Sequence, residues 1–380
     1  MRNIGIIGGG IGGVAAAATL YRLGIQATVY ERAPRLEEVG AGMMLWPNAT
    51  RILKSLGLLD DVARRSATNT HFLVRASSGK VLMNIALGEF DVPALCTRRS
   101  DLLASLLSAV PTERIRLGRE FSHLEQCKTK VRVHFADGAV QEHDAVIAAD
   151  GIRSRVRAQL FGISDPVYRG YSVWRGVAAY DGPAVRSRYN VMRPEYNSET
   201  WGRGSRFGIL DIGQGRYTWY ATANVPQRTP PGERLGELRK RFAGWHEPIP
   251  TLIASTEFIL ENGAYDLRPL PRWTSGLVTL LGDAAHPCTP NLGQGGGMAI
   301  EDAMVLAKCL SREPSIESAL HRYELLRRRR TRHIQQRSLL MGHIGQWQNR
   351  AAVSGRRMVT SILPAALFEH NLRRVYSYET

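Results

Sequence analysis

The sequence contains few cysteines for its 380 residues. Only four are present, at positions 96, 127, 288 and 309, and none of them forms a C-x-x-C pair. Such wide spacing indicates neither a disulfide framework nor a zinc ribbon. We therefore expect a reducing, cytoplasmic location.

Lysine is also scarce, because 44 of the 50 basic residues are arginines. With 34 acidic residues the formal net charge is +16. The arginines are spread along the chain, apart from one run at 327–330, which we interpret as the solvent-exposed face of a helix. A nucleic-acid-binding surface would concentrate basic residues on one element, so we expect no nucleic-acid partner. The positive charge would attract anionic substrates or cofactors.

No apolar run is long enough for a membrane helix. Residues 3–21 carry no charge, but glycines at 8, 9, 10, 12 and 13 interrupt them, so we predict neither a signal peptide nor stable membrane insertion. The motifs H-E-x-x-H and G-x-S-x-G are missing, and the histidines lack ligand spacing, so we expect no metal site. The apolar share of 44% predicts a globular protein with a substantial core.

The first pattern that carries chemistry lies at the N-terminus. A β-branched run precedes Gly8, Gly10 and Gly13 in G-x-G-x-x-G spacing, and an alanine-rich, helix-prone stretch follows. A second strand ends at Glu31, about 20 residues later, where dinucleotide-binding folds place an acid for a ribose hydroxyl. The glycines allow a tight turn, the approach of a pyrophosphate to a helix N-terminus, and close packing of helix on strand.

Two further motifs follow buried strands. The first contains Asp150, Gly151, Ser154 and Arg157. The second is Gly-Asp-Ala-Ala-His-Pro at 282–287, followed by a glycine-rich stretch at 293–297. A helix is predicted to start near Met298, with Glu301 and Asp302 in its first turn, where carboxylates suit the helix dipole.

With these three motifs in order, the sequence resembles the FAD-dependent aromatic hydroxylases, the single-component flavoprotein monooxygenases of the p-hydroxybenzoate hydroxylase type. The resemblance runs from Asn3 to about Arg330. It implies an α/β fold, with a Rossmann-like FAD-binding domain, an inserted, mostly antiparallel β-sheet substrate domain and a C-terminal helical segment. The expected boundaries are 1–72, 95–165 and 275–345 for the FAD-binding domain, 73–94 and 166–274 for the substrate domain, and 346–380 for the tail.

The resemblance also implies which residues hold FAD. Asp283 would accept a hydrogen bond from the ribitol chain, and Asp150 belongs to a motif associated with FAD and nicotinamide binding. Arg99 would reach the phosphates, with Arg98 as the alternative. A backbone wall for the flavin would come from the stretch that contains Pro290, Gly293, Gln294, Gly295 and Gly296.

The implied reaction uses FAD, NAD(P)H and O₂ to hydroxylate or epoxidise an aromatic or polycyclic small molecule through a flavin C4a-hydroperoxide. A reductase or halogenase of the same fold is the alternative, although the halogenase motif W-x-W-x-I-P is absent. A nicotinamide dehydrogenase would leave the Asp150 and Asp283 motifs unexplained. The sequence leaves monomer and homodimer open.

The substrate side is less clearly marked. Met44 and Trp46 resemble a segment that passes beside the flavin ring, but an ordinary core role is equally open. Arg206 aligns with an arginine that orients an anionic substrate in urate-hydroxylating relatives, and the alternative is a strand-surface arginine. Asn291 and Thr218 replace the Asp and Tyr of those relatives, which argues against urate.

Two structural choices are also left open. Because strand side chains alternate, either Thr218 and Tyr220 or Tyr217 and Trp219 face the flavin. The uncharged tail at 358–368 would cap the substrate domain, form a dimer contact or touch a membrane surface.

Overall fold

The computed structural model describes residues 2–36, 42–87, 90–162, 165–179, 195–227 and 234–378. Within these residues, two large sheets and eleven α-helices form the framework. The helices are α1 (Ile11–Arg22), α2 (Pro47–Ser55), α3 (Leu59–Arg64), α4 (Arg99–Leu107), α5 (Arg155–Phe161), α6 (Arg234–Phe242), α7 (Ile249–Ala254), α8 (Gly295–Arg312), α9 (Ile316–Gly345), α10 (Arg350–Ile362) and α11 (Ala365–Tyr376).

The first large sheet has six strands in the order β18-β19-β12-β1-β2-β8. These strands are β1 (Asn3–Ile7), β2 (Gln26–Tyr30), β8 (Ile115–Arg116), β12 (Ala145–Ala148), β18 (Thr274–Ser275) and β19 (Val278–Leu280). All neighbours pair in parallel except β18 and β19. The strands β1, β2, β12 and β19 are almost entirely buried on both faces, as parallel sheets covered by helices require.

Small residues allow the helices to pack closely on this sheet. Four successive alanines of α1, at 15–18, are at most 1% exposed. A side chain at Gly12 would lie 3.0 Å from Leu281 and 3.3 Å from Ala299 of α8, so this glycine permits the close contact of α1 with α8. Helix α8 begins at Gly295, one turn earlier than the Met298 predicted from the sequence. Glu301 and Asp302 therefore lie beyond its first turn, and the helix-dipole role predicted for them is wrong.

The second large sheet has seven strands in the order β17-β13-β16-β15-β14-β5-β6 and is antiparallel except at the β14–β5 pair. Its strands are β5 (His71–Ala76), β6 (Val81–Ala86), β13 (Val167–Ala179), β14 (Tyr196–Trp201), β15 (Ser205–Asp211), β16 (Arg216–Asn224) and β17 (Ile259–Asp266). Helices α6 and α7 pack on one face through Phe242 and Ile253, against Trp219 and Phe207. These two helices thus cover one face of the sheet.

Two small sheets complete the strands. One joins β9 (Phe121–Gln126), β10 (Val131–Phe135) and β11 (Val140–His143), and the other joins β3 (Gly42–Leu45), β7 (Leu95–Arg98) and β4 (Ala67–Thr68). The predicted α/β architecture, with an inserted, mostly antiparallel sheet and a helical C-terminal segment, is confirmed. The residue at which one domain ends and the next begins stays a prediction.

The C-terminal segment forms helices α10 and α11, which lie against β6. Tyr376 of α11 is 3% exposed and belongs to an apolar cluster with Trp46, Met298 and Ile85. The end of α11 therefore covers part of the protein's own core. In the uncharged stretch at 358–368, by contrast, Met358, Val359 and Ile362 are 60%, 48% and 71% exposed, so the choice among the three roles considered for it stays open. Within the described residues, no helix combines the length and the apolar character needed to cross a bilayer.

Candidate cofactor and substrate site

The glycine-rich turn after β1 can be built only from glycine at two of its three motif positions. Gly8 has a φ of 108°, in the region that disfavours side chains. A Cβ on Gly13 would lie 1.9 Å from the carbonyl oxygen of Gly8. Gly10 caps α1, and a Cβ there would meet nothing within 4 Å. The turn therefore leaves open space at the N-terminus of α1, where an anionic group is favoured.

Glu31 fastens this turn to the end of β2. One carboxylate oxygen accepts a hydrogen bond from the Gly9 N–H at 2.7 Å, and the other accepts from the Ala33 N–H at 2.9 Å. Both carboxylate oxygens thus accept hydrogen bonds from backbone amides, a role that the sequence motif did not predict. Each oxygen keeps a second lone pair, so the predicted ribose contact stays compatible with this geometry.

The second motif is joined to the third by an arginine. Ser154 caps α5 by accepting from the Arg157 N–H at 2.9 Å. The Arg157 guanidinium then donates to the carbonyl oxygens of Ala284, at 2.9 Å, and Ile152, at 2.6 Å. Asp150 accepts from the Val156 N–H at 3.2 Å, and its other oxygen has no partner among the described residues. Burial raises the pKa of Asp150.

Asp283 lies in a short 3₁₀ turn after β19. Its side chain is classed as exposed, although both neighbouring residues, Gly282 and Ala284, are buried. Burial among the surrounding protein atoms raises the pKa of this carboxyl, and the charges of His286 and Arg99 oppose that rise. Asp283 is therefore solvent-accessible although protein atoms surround it, and Arg99, the first residue of α4, is close enough to act on it electrostatically.

A wall loop, residues 290–296, joins a 3₁₀ turn at Pro290 to the start of α8. Gly293 has a φ of 59°, and a Cβ there would lie 3.5 Å from Trp46 Nε1. A Cβ on Gly296 would lie 2.4 Å from Met43 Cε, and Gly295 is the first helical residue. The β3 segment thus runs along the wall loop.

Gln294 and Trp46 bring unused hydrogen-bond donors to this loop. Gln294 is 1% exposed and accepts from Asn48 Nδ2 at 3.0 Å, while its own Nε2 has no partner in the described part of the chain. Trp46 Nε1 is equally unpartnered and buried. Buried donors without acceptors are costly, so two such groups beside one loop mark a place where a ligand would supply the acceptors.

Thr218 and Tyr220 lie on the face of the seven-stranded sheet that meets the wall loop. Thr218 Oγ1 accepts from the Gly42 N–H at 3.0 Å, and Tyr220 packs with Met44. Tyr217 and Trp219 point the other way, into the core formed with α6 and α7. Of the two pairs that the sequence left open, Thr218 and Tyr220 therefore lie on the face toward the wall loop, and Tyr217 and Trp219 do not.

Arg206 is buried, with 3% of its surface exposed, so the alternative of a strand-surface arginine is wrong. Its Nη1 donates to Glu199 at 3.0 Å, its Nη2 to Asn291 Oδ1 at 2.5 Å, and its Nε to Gln346 Oε1 at 3.3 Å. Asn291 belongs to the wall loop and also donates to the Tyr171 hydroxyl at 3.0 Å. A hydrogen-bonded contact thus joins the sheet face to the wall loop.

Comparison with known proteins assigns this arrangement to a family. Residues 2–338 match the family model described as FAD binding domain. The chain is 37% identical over 377 residues to aurachin C monooxygenase/isomerase of Stigmatella aurantiaca, covering 97% of this chain and 96% of that protein. The chain belongs to this family and is an FAD-dependent monooxygenase.

Other relatives agree with this assignment. The monooxygenase is 32% identical over 370 residues to 2-heptyl-3-hydroxy-4(1H)-quinolone synthase of Pseudomonas aeruginosa, covering 95% of this chain and 94% of that protein. The crystal structure of Klebsiella pneumoniae HpxO with FAD and uric acid matches it with a TM-score of 0.91 at 25% identity, over 99% of this chain and 97% of that one. The predicted use of FAD, with NAD(P)H as reductant, is confirmed.

The residues of the monooxygenase fit FAD on structural grounds. The open glycine turn suits a pyrophosphate, the accessible Asp283 suits a polyol hydroxyl, and the unpartnered donors of Gln294 and Trp46 suit the carbonyl and ring-nitrogen acceptors of a flavin. The roles of the individual residues in binding remain predictions.

Sequence reasoning missed a buried ionic cluster behind the third motif. Arg327 is fully buried, so the prediction that the run at 327–330 is an exposed helix face is wrong for this residue. It contacts Glu301 and Asp302 at 2.6 Å each. Asp302 in turn accepts from the Gly282 N–H at 3.0 Å and contacts His286 Nε2 at 2.5 Å. The cluster therefore fixes the backbone that carries Asp283.

One group of potential metal ligands occurs among the described residues. His123, Glu125 and His134 place their ligand atoms within 4.8 Å of one another on β9 and β10. The spacing along the sequence did not reveal them because the group spans two paired strands. It lies on a small sheet outside the candidate site, and two of the three residues are exposed.

Proposed function

We propose that this monooxygenase hydroxylates or epoxidises a bicyclic heteroaromatic compound of the 4(1H)-quinolone type, within the broader class of aromatic and polycyclic small molecules. Two relatives that align over nearly the whole chain are named for aurachin C and for a 2-heptyl-3-hydroxy-4(1H)-quinolone. The overall reaction would take substrate, O₂, NAD(P)H and a proton to oxygenated product, NAD(P)⁺ and water.

The observation that carries the proposal is the hydrogen-bonded contact between the sheet face and the wall loop. Tyr220, Val177 and Met44 lie between these two layers and yet keep part of their surface accessible. Side chains that stay accessible between two layers line a gap, and apolar and aromatic side chains there suit a flat ring. The substrate would lie in this gap, over the wall loop.

The cofactor would extend from the glycine turn to the wall loop. In this arrangement Gly8, Gly10 and Gly13 leave room for the phosphates, Arg99 adds a positive charge, and Asp283 accepts from the ribitol chain. Glu31 would bind the ribose of the adenosine, and Asp150 would bind the part of the cofactor between the adenosine and the flavin. When bound, the reduced flavin activates O₂ for transfer to the substrate.

The protein's own part is to bind, orient and keep water away. The N-terminus of α8 directs its positive dipole end toward the wall loop, where it would stabilise negative charge on the ring system. Met44, Trp46 and the residues that cover them exclude water from the gap, because competing hydrolysis would waste the oxidant. The hydroxyl of Tyr220, which keeps part of its surface accessible, would accept a hydrogen bond from a ring N–H. Thr218 instead holds the backbone, because its hydroxyl accepts from the Gly42 N–H and donates to the Gly176 carbonyl oxygen.

The decisive experiment uses the purified holoenzyme with NAD(P)H, a panel of 4(1H)-quinolones and ¹⁸O₂. We expect the substrate to accelerate NAD(P)H consumption and one ¹⁸O atom to appear in the product. Product oxygen that comes only from water would reject the monooxygenase reaction. NAD(P)H consumption without an oxygenated product for any quinolone would favour the reductase alternative, and product halogenation in the presence of chloride or bromide would favour a halogenase.

The proposal also includes a cytoplasmic location and a monomeric or homodimeric state. Light scattering after size-exclusion chromatography distinguishes the two states, and a larger assembly would contradict both.

A further inference from the structure

We propose that Glu199 determines the charge of the substrate that this monooxygenase accepts. Glu199 lies on β14 and neutralises Arg206 in the adjacent strand, so that the gap selects an uncharged ring compound over a carboxylate or other anion. This proposal rests on the proposed function, because it names the charge class of the same substrate.

The ion pair lies where the two strands form a hairpin. Trp201 of β14 pairs with Arg206 of β15, which brings Glu199 and Arg206 to the same region of the sheet. The side chains are 9% and 4% exposed, and their atoms lie 3.0 Å apart. At this burial the charges interact strongly, because little water screens them.

Glu199 is held by donors on both oxygens. Oε1 accepts from Arg206, and Oε2 accepts from Trp201 Nε1 at 2.8 Å. The Tyr220 hydroxyl is also hydrogen-bonded to Glu199, and burial raises the pKa of Tyr220 well above its ordinary value. Tyr220 therefore keeps its proton, and Glu199 is the acceptor of a network that reaches the gap.

Arg206 has no nitrogen left without a protein acceptor. Its three guanidinium nitrogens donate to Glu199, Asn291 and Gln346. Of these three partners only Glu199 carries a charge, so Glu199 alone compensates the arginine. An incoming anion would have to compete with a buried carboxylate that is already in place.

The surrounding backbone is shaped to hold this network. A Cβ on Gly345 would lie 2.8 Å from Arg206 Cδ, and one on Gly342 would lie 2.6 Å from Asn291 Nδ2. A Cβ on Gly208 would lie 2.1 Å from the Tyr220 ring. Glycines at these three positions leave the space that the side chains of Arg206, Asn291 and Tyr220 occupy. The backbone is therefore adapted to this network.

The test compares two ligands of nearly equal shape, 4-oxo-1,4-dihydroquinoline-2-carboxamide and 4-oxo-1,4-dihydroquinoline-2-carboxylate. Binding to the oxidised holoenzyme is measured from the perturbation of the bound flavin's absorbance, with no turnover. We expect the wild-type enzyme to bind the neutral compound at least about tenfold more tightly. In Glu199→Gln the affinity for the carboxylate should rise by about tenfold or more, because Arg206 loses its counter-charge.

Two further variants keep the test interpretable. Glu257→Gln removes the same charge from an exposed position and should leave both affinities unchanged. Glu199→Asp keeps the counter-charge of Arg206 on a side chain one methylene shorter and should keep the preference for the neutral compound. Flavin content and thermal melting of each variant report whether the fold is kept.

Unchanged carboxylate affinity in a folded, flavin-loaded Glu199→Gln would overturn the role of Glu199. Should Glu199→Gln not fold, a rise in carboxylate affinity in Glu199→Asp, which keeps the counter-charge, would overturn it. Salicylate and salicylamide form a second, smaller pair for the same comparison. Binding of this pair without binding of the quinolones would reject the quinolone class, while the charge preference would still be read from the smaller pair. Wild-type preference for the carboxylates, or no binding of either neutral compound, overturns the proposal itself.

Discussion

The indole of Trp46 and the phenol ring of Tyr376 stack face to face, with centroids 3.7 Å apart and planes 7° from parallel. Trp46 precedes α2 beside the wall loop, whereas Tyr376 is the last residue of α11. The contact therefore fastens the C-terminal helix over one end of the candidate site. The backbone oxygen of the neighbouring Val375 accepts from Arg330 at 2.6 Å and strengthens the same attachment.

Replacing Tyr376 by Ala should loosen this cover. The loss of a buried aromatic side chain costs about 3–5 kcal/mol of folding free energy, and water would gain access to Trp46. We expect a lower melting temperature and more H₂O₂ released per NAD(P)H consumed. Tyr376→Phe keeps the stacked ring and should behave like the wild type in both measurements. Wild-type melting and coupling in Tyr376→Ala would contradict a covering role for α11.

Asp283 should be required for retention of FAD. One charge-assisted hydrogen bond contributes about 1.5–3 kcal/mol, so Asp283→Ala should bind FAD about 10- to 100-fold more weakly and purify largely colourless. The ratio of flavin to protein absorbance measures this, and circular dichroism shows whether the fold is kept. Asp60→Ala, at an exposed acid of α3, serves as the control. Full flavin occupancy in Asp283→Ala would exclude the predicted ribitol contact.

The parts of the site that the sequence predicted are local. Gly8 and Gly13 could be identified from their spacing because the turn that they form is short. Asp283 could be identified because its motif is contiguous in the sequence. The pairs Trp46–Tyr376 and Glu199–Arg206 could not be predicted in this way. The first joins residues that are far apart in the sequence, and the second depends on the register of a hairpin that no motif encodes.

The burial of Arg327 is a different case, because the sequence contained a pattern that indicates it. Leu320, Tyr323 and Ile334 lie at helical spacing in α9 and are buried, and Arg327 falls on the same stripe. Leu326 also lies near this spacing in the sequence but is 42% exposed. The run of four arginines concealed this position, since charged residues are rarely fully buried unless paired. Helical phase therefore predicts the burial of Arg327 better than composition does.

Replacing Arg327 by Met should destabilise the fold and weaken cofactor retention together. Removing one partner of a buried ion pair costs about 3–5 kcal/mol. Without Arg327, only Arg330 would remain beside Glu301 and only His286 beside Asp302, so two buried carboxylates would share less compensation. Urea denaturation measures the loss, and flavin content should fall as the backbone at Gly282 loses its fixed acceptor. Arg329→Met removes the same charge from an exposed neighbour and should change neither quantity. Equal effects of the two variants would show that the cluster has no special role.

His143 should make the stability of the six-stranded sheet dependent on pH. It ends β11, is 2% exposed, and places Nε2 3.0 Å from the Tyr30 hydroxyl. Burial lowers the pKa of His143 to about 4 and raises the pKa of Tyr30 to about 12. The tyrosine thus keeps its proton and can donate to a neutral imidazole, whose other nitrogen has no partner within the described residues.

The sign of the effect follows from proton binding. Between the unfolded pKa of about 6.5 and the folded pKa of about 4, the unfolded chain binds the proton more readily, so acid favours unfolding. We expect His143 to cost the folded state about 2 kcal/mol between about pH 7.5 and about pH 5, with no further loss below the folded pKa. Urea denaturation across this range should show a shallower pH dependence for His143→Gln, which can still accept from Tyr30. His123→Gln, at an exposed histidine, should keep the wild-type slope. An unchanged slope in His143→Gln would mean that other groups cause the acid sensitivity.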